Sequence, residues 1–151
     1  GSTGEAHPRN SMSLTNIGYA SVLAWANPLL LKLEQQILIP LFGENPVELG
    51  LAGREDELLQ RLSDDARYRR LFTEAFPGVD APITIQNLVR ALASFNRSLV
   101  SHNTAYDDFF YRFDDDALSD SALRGLDAFF TEKFECFHCH GGFNFTETND
   151  Y

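Results

Sequence analysis

The chain has 151 residues, 44% of them apolar, and a formal net charge of −10 at pH 7. That length suits one compact domain able to bury roughly 70% of its unfolded-chain surface. The charge argues against a nucleic-acid surface, which needs clustered Lys and Arg, and no apolar run reaches the roughly 18 residues of a membrane span.

The opening stretch, "GSTGEAHPRNSMS", has no apolar core preceded by positive charge and is not a secretory signal. If the chain is exported, its signal is expected upstream. The first 28 residues, rich in Ser, Asn, Gly and Pro, read as loop. Apolar residues then recur at helical spacing from Leu29 to Ile39, and Pro40 is expected to limit that helix. "LFGENPVELGLAG" is irregular, punctuated by Gly43, Pro46, Gly50 and Gly53. "EDELLQRLSDDARYRRLFTEAFPG" reads as two short helices. Ser63 or Asp64 is expected to cap the second, Pro77-Gly78 to stop it, and Leu71, Phe72 and Phe76 to form its buried side. Thr84 caps the clearest helix, whose apolar face carries Ile85, Leu88, Val89, Leu92, Phe95 and Leu99 at steps of three and four. A further amphipathic pattern starts at Ser119 with Ala122, Leu123, Leu126, Phe129 and Phe130, and leads directly to Cys136. No strand-like alternation of useful length, internal repeat or low-complexity tract occurs. The expected class is all-α with long loops, and loops of this length call for a function or a bulky group to pack on.

Both cysteines lie in "FECFHCHGGF", as Cys136 and Cys139, with His140 directly after the second. C-x-x-C-H is the attachment signature of a c-type haem. Two thiols add across the two porphyrin vinyl groups, and the two-residue gap matches the separation of those groups. The following histidine then presents an imidazole nitrogen to the iron. Three alternatives compete. A thioredoxin-like C-x-x-C needs a strand-to-helix setting, and nothing reads as a strand. A zinc site from Cys136, Cys139 and His138 or His140 still needs another thiol or imidazole, and only His7 and His102 remain. A disulfide across three residues leaves His140 unexplained. His138, at a free position of the motif, is expected to face solvent or a propionate.

The stretches "PRNSMSLTNIGY", "AWANPLLLKLEQQILIPLF", "GENPVELGL", "ITIQNLVRALASFNRSLVS", "ALSDSALRGLDAFF" and "CFHCHGG" follow in that order. Together they resemble the di-haem cytochrome c peroxidases and their MauG-like relatives. "RNSMSLTNIGYASVLAWANPLL" is most similar to the MbnH-type di-haem enzymes. The resemblance runs from about Gly4 to the end. It implies a fragment of a two-domain di-haem enzyme with cytochrome c-like haem domains and long loops. Residues 1–80 would be part of the peroxidatic first-haem domain, without its haem motif. Residues 81–151 would start the second cytochrome c-like domain, with Cys136, Cys139 and His140 as its motif. The upstream motif and the family's sixth ligand, a Met or Tyr, are expected outside this stretch; Met12, His7, His102 and the tyrosines rank below that residue.

The resemblance also implies roles for individual residues. Trp25 matches the tryptophan between the two haems, a relay for oxidising equivalents. Glu48, in "NPVELG", matches the acid/base residue at the peroxide site, where a carboxylate takes a proton from bound peroxide and returns it to the leaving oxygen. Gln36 matches a pocket glutamine that orients peroxide or water. Asn10 matches a residue that helps bind calcium between the two domains, a site that needs six to eight oxygens in all. Arg9 has the charge to pair with a haem propionate. Against these stand plainer readings: a core anchor for Trp25, a surface or capping carboxylate for Glu48, an exposed helix residue for Gln36, a turn former for Asn10.

One departure matters. The family's cytochrome c peroxidases carry an acidic residue, glycine and arginine after the tryptophan, whereas this chain reads Trp25-Ala26-Asn27-Pro28. The favoured reading is therefore a peroxide-using, haem-dependent oxidoreductase in which high-valent di-haem iron oxidises a side chain of a partner protein, in the MbnH-type subgroup a copper-associated one. Classical peroxide reduction with a cytochrome donor is the first alternative, and a c-type haem electron-transfer module without catalysis the second. Covalent haem attachment takes place outside the cytoplasm, so a bacterial periplasm is expected, and a low cysteine count fits thiols consumed by haem.

Overall fold

The computed structural model describes residues 1–24 and 27–146. Six α-helices follow one another: α1 (Leu33–Phe42), α2 (Glu55–Asp64), α3 (Ala66–Ala75), α4 (Ile85–Ser98), α5 (Ala105–Arg112) and α6 (Asp120–Phe129). Tight turns of 3₁₀ type stand at Ile17–Tyr19 and Cys136–His138. Among the described residues there is no strand; the nearest approach is an isolated bridge between Glu44 and Val47. The all-α class is as expected.

The core is small and sits where α1 crosses α4. Leu33, Ile37 and Leu41 of α1 pack with Val89 and Ala93 of α4, under Ile17 and Leu23 from the N-terminal segment. Ala93 is completely buried, and its single methyl lets the two helices approach closely. The helix face predicted for α4 is thereby corrected. Its buried positions are Asn87, Val89 and Ala93, whereas Leu92 and Phe95 are exposed, Phe95 at 60%. The apolar stripe is wider than the partner helix, and its flank is covered by no described element.

Helix starts follow from side-chain capping. Thr84 accepts from the Asn87 N–H at 3.1 Å, and Ser119 accepts from the Ala122 N–H at 3.3 Å, both as the sequence indicates. Two boundaries differ. The cap of α3 is Asp65, whose carboxylate accepts from the Arg67 N–H at 2.7 Å, rather than Ser63 or Asp64, which belong to the last turn of α2. On α3 only Phe72 is buried; Leu71 is exposed and Phe76 half-buried. Helix α1 starts four residues later than predicted and runs through Pro40 to Phe42. Pro40 deletes only the N–H that would reach the Gln36 carbonyl. One missing bond in a last turn is tolerated when Leu33, Ile37 and Leu41 are anchored on α4. Leu29 to Lys32 instead form a turn and an extended run, with the Leu30 carbonyl accepting from the Leu23 N–H at 2.9 Å.

Helix α5 was not predicted. It is closed at its start by a capping box: the Asp107 N–H donates to Thr104 Oγ1 at 3.2 Å, and the Thr104 N–H donates to Asp107 Oδ2 at 2.8 Å. Neither α5 nor α6 buries a residue fully. Phe110 on α5, Phe113 just after it, and Phe130 and Phe134 after α6 are all open to solvent.

A two-point ion pair clips α1 to α4: Arg97 Nη1 and Nη2 donate to Glu34 Oε1 and Oε2 at 2.8 and 3.0 Å. The Arg97 hydrogen bond holds the Glu34 carboxyl below its ordinary pKa. The pair's stabilisation is therefore complete above the unfolded-state pKa of Glu34 and is lost as pH falls through the lowered folded-state value. Both side chains are substantially exposed, so solvent limits the effect to about 1 kcal/mol or less. The melting temperature of Glu34→Gln should lie slightly below that of the wild type at pH 7, and the gap should close in acid.

Candidate haem-attachment site

The chain leaves α6 through the Phe130–Glu135 stretch, and Glu135, in the left-handed region at φ 53°, turns it into the motif. The carbonyl of Cys136 then accepts from both the Cys139 N–H at 3.2 Å and the His140 N–H at 2.9 Å. These bonds wind the motif into one helical turn. Positions i, i+3 and i+4 of such a turn share a face, so Cys136, Cys139 and His140 occupy one side of it. Both cysteines are free thiols, Cys139 exposed and Cys136 half-buried, with Cys136 Sγ 3.6 Å from the Phe134 carbonyl. His138, at i+2, points elsewhere: its Nε2 lies 3.5 Å from Glu132 Oε2, and its ring lies against Phe137.

His140 Nδ1 lies 3.2 Å from the carbonyl oxygen of Phe145. A carbonyl only accepts, so Nδ1 carries the proton and the Nε2 lone pair is presented outward, the arrangement a metal-bound histidine requires. The same Phe145 forms one wall of an apolar cleft of about 300 Å³ lined by Tyr106, Leu118, Ala122, Gly125, Leu126 and Phe129. Its ring meets Tyr106 edge-on at 4.9 Å and Phe129 at 5.5 Å. Burial, then the neighbouring Tyr111 and Asp107, raise the Tyr106 phenol above its ordinary pKa, so it stays neutral in this cleft. Two thiols and an imidazole on one face, with an oriented ring nitrogen beside an open apolar wall, fit a covalently held porphyrin.

The alternatives fare less well. The thiols are not gathered with either imidazole into a donor group of metal-binding size. The one close grouping of His, Cys, Asp and Glu donors among the described residues is Glu132, Glu135 and His138, all exposed. No strand precedes the motif, as a thioredoxin-like site would need.

The other residues singled out from the sequence are scattered. Gln36, on α1, is half-buried. Its Nε2 donates to Met12 Sδ at 3.6 Å, while its Oε1 is shielded from solvent and has no partner among the described residues. Glu48 is half-buried on the loop after α1. That loop is tied back to the helix end, with the Leu49 N–H donating to the Pro40 carbonyl at 3.0 Å and the Leu51 N–H to the Leu41 carbonyl at 3.1 Å. Gln36 and Glu48 are thus both referred to α1, one turn before Pro40 and directly across from it. Asn10 is exposed in the N-terminal loop. Trp25 lies outside the described residues.

Sequence reasoning missed Asn16, Asn144 and Phe145. Asn16 is buried in the left-handed region at φ 57°. It accepts from the Ser101 N–H at 2.8 Å and donates through Nδ2 to the Ser101 carbonyl at 2.9 Å and to Asn144 Oδ1 at 3.3 Å. The available signal was the run "GGFNF" after the motif, since Gly and Asn are the residues that most readily take left-handed backbone.

Fold and motif together define a cytochrome c-like all-α protein. A family model described as di-haem cytochrome c peroxidase matches residues 1–116. The chain is 35% identical over 143 residues to the methylamine utilization protein MauG of Methylophilus methylotrophus, covering 94% of this chain and 40% of that protein. It is 28% identical over 137 residues to the cytochrome c551 peroxidase of Pseudomonas aeruginosa, covering 91% and 37%. A crystal structure of a MauG-like protein associated with microbial copper homeostasis superimposes with a TM-score of 0.87 at 39% identity, over 99% of this chain and 42% of the other. The chain belongs to the di-haem cytochrome c peroxidase family and is MauG-like within it. It spans about two fifths of the length of these relatives. The family match stops before Cys136, so the attachment site itself rests on the motif and its geometry.

Proposed function

We propose that this chain is the part of a peroxide-using di-haem oxidoreductase that holds the electron-relaying haem through Cys136, Cys139 and His140. The observation that carries this is the turn that puts Cys136, Cys139 and His140 on one face, with His140 Nδ1 bonded to the carbonyl of Phe145, a wall of the apolar cleft. Haem held by Cys136, Cys139 and His140 would supply one-electron redox chemistry, with hydrogen peroxide as the oxidant. The chain's own residues would manage protons and position. Glu48 would take the proton from one peroxide oxygen and return it to the leaving one. Gln36 would orient peroxide or water, and its shielded, unpaired Oε1 suits an O–H donor. Trp25 would relay oxidising equivalents between the haems. Residues 1–80 would belong to the first-haem domain and residues 81–151 to the second, with the α1–α4 packing as the seam between them. Asn10 would contribute to a calcium ion between the two domains. Attachment of haem would place the protein in the periplasm; no helix among the described residues is long and apolar enough to cross a membrane.

The oxidising equivalents would be delivered to a side chain of a partner protein, with a copper-associated partner suggested by the similarity to the copper-homeostasis protein. The likeness to the cytochrome c551 peroxidase supports the alternative, oxidation of a cytochrome donor, while the run Trp25-Ala26-Asn27-Pro28 weighs against it. The full-length protein, matured with c-type haem machinery, decides between them. A pyridine haemochrome spectrum should show thioether-linked haem. Peroxide should then produce a spectral change that persists in the presence of a reduced cytochrome. Rapid oxidation of that cytochrome would establish the alternative, and absence of covalent haem would end both.

A further inference from the structure

Resting on the reading of His140 as a haem ligand, we propose that Asn144, latched to Asn16, is a positioning residue that fixes the orientation of the His140 ring. The chain after the motif doubles back through left-handed backbone at Asn144 (φ 65°) and Phe145 (φ 51°). That bend puts the Phe145 carbonyl 3.2 Å from His140 Nδ1. Left-handed backbone is unfavourable for a residue such as Phe and persists only where surroundings hold it. Two side-chain hydrogen bonds hold it here. Asn144 Nδ2 donates to the Thr15 carbonyl at 3.2 Å, and Asn144 Oδ1 accepts from Asn16 Nδ2 at 3.3 Å. Asn16 cannot follow the loop if it moves, because it is buried and bonded to Ser101 through both ends of its amide, while its own N–H donates to the Leu99 carbonyl at 2.9 Å. The aromatic neighbours close the same bend: Phe143 meets Tyr19 edge-on at 5.7 Å, and Phe145 meets Tyr106 and Phe129.

The consequence is electronic as well as steric. An imidazole whose N–H donates to a carbonyl is a better electron donor through its other nitrogen, which favours oxidised iron. The N-terminal segment and the chain after α4 would therefore tune the haem at His140 without touching it. Releasing the latch should let the ring swing, weaken that donation and raise the midpoint potential.

Asn144→Gly tests this in the full-length holoprotein, because glycine accepts the left-handed backbone while both latch bonds are lost. The readouts are covalent haem per chain, the midpoint potential, and the low-spin EPR signal of the haem bound through Cys136 and Cys139, identified by its absence when both cysteines are replaced. Haem content should match the wild type, the potential should shift positive, and the EPR signal should broaden as ring orientations spread. Asn144→Asp keeps the acceptor for Asn16 but not the donor to Thr15, and should show a smaller shift in the same direction. Should the glycine variant fail to mature, the aspartate variant alone carries the test. Wild-type potential and line shape in the matured variants overturn the latch, whereas a wild type without covalent haem overturns the reading beneath it.

Discussion

Replacing both Cys136 and Cys139 by alanine is expected to remove one covalently bound haem from the full-length protein entirely. Only the thiols can form thioether bonds, so the loss is all-or-none for covalent attachment, and either single replacement should leave one link. Haem staining after denaturing electrophoresis and intact mass measure this directly; unchanged covalent haem in the double variant would refute the site. The structural effect should extend beyond the motif. Helices α5 and α6 bury no residue fully, and their apolar cleft is walled by Tyr106, Leu126, Phe129 and Phe145. A bulky apolar group seated there would supply the core these helices lack, at roughly 25 cal/mol for each Å² of apolar surface covered. Amide hydrogen exchange across 105–129 should therefore accelerate sharply in the double variant, while α1 and α4, with their own core, should change much less.

Replacing Glu48 by glutamine should slow the reaction of the full-length protein with hydrogen peroxide by roughly 10²–10⁴-fold, the usual contribution of a positioned acid/base group. The amide preserves size and leaves the loop bonds from Leu49 to Pro40 and from Leu51 to Leu41 intact, because those are backbone bonds. Haem content and folding should thus be unaffected, and stopped-flow absorbance would isolate the chemical step. An unaltered rate would make Glu48 a surface carboxylate and favour the reading of this protein as an electron carrier without catalysis.

Local signals were readable where the physical cause was itself local. Thr84 and Ser119 cap their helices because the capping hydroxyl needs only an N–H three residues on. The Thr104 and Asp107 pair is equally local, a T-x-x-D pattern that marks the start of α5. Other features depended on distant partners. Helix α1 survives Pro40 because α4 holds it, and Phe95 is exposed although it sits on the apolar face of its helix, because α1 covers only the strip around Val89 and Ala93.

By itself the sequence determined the all-α class and the caps at Thr84 and Ser119, and it carried the haem-attachment reading of Cys136, Cys139 and His140, since each depends on residues a few positions apart. Only the tertiary structure decided which nitrogen of His140 is presented outward and what holds it there. That outcome depends on Asn16 and Asn144, 128 residues apart. Their meeting reflects the docking of the N-terminal segment on the chain after α4, through Leu99 and Ser101, and the turn after the motif, which no local pattern encodes.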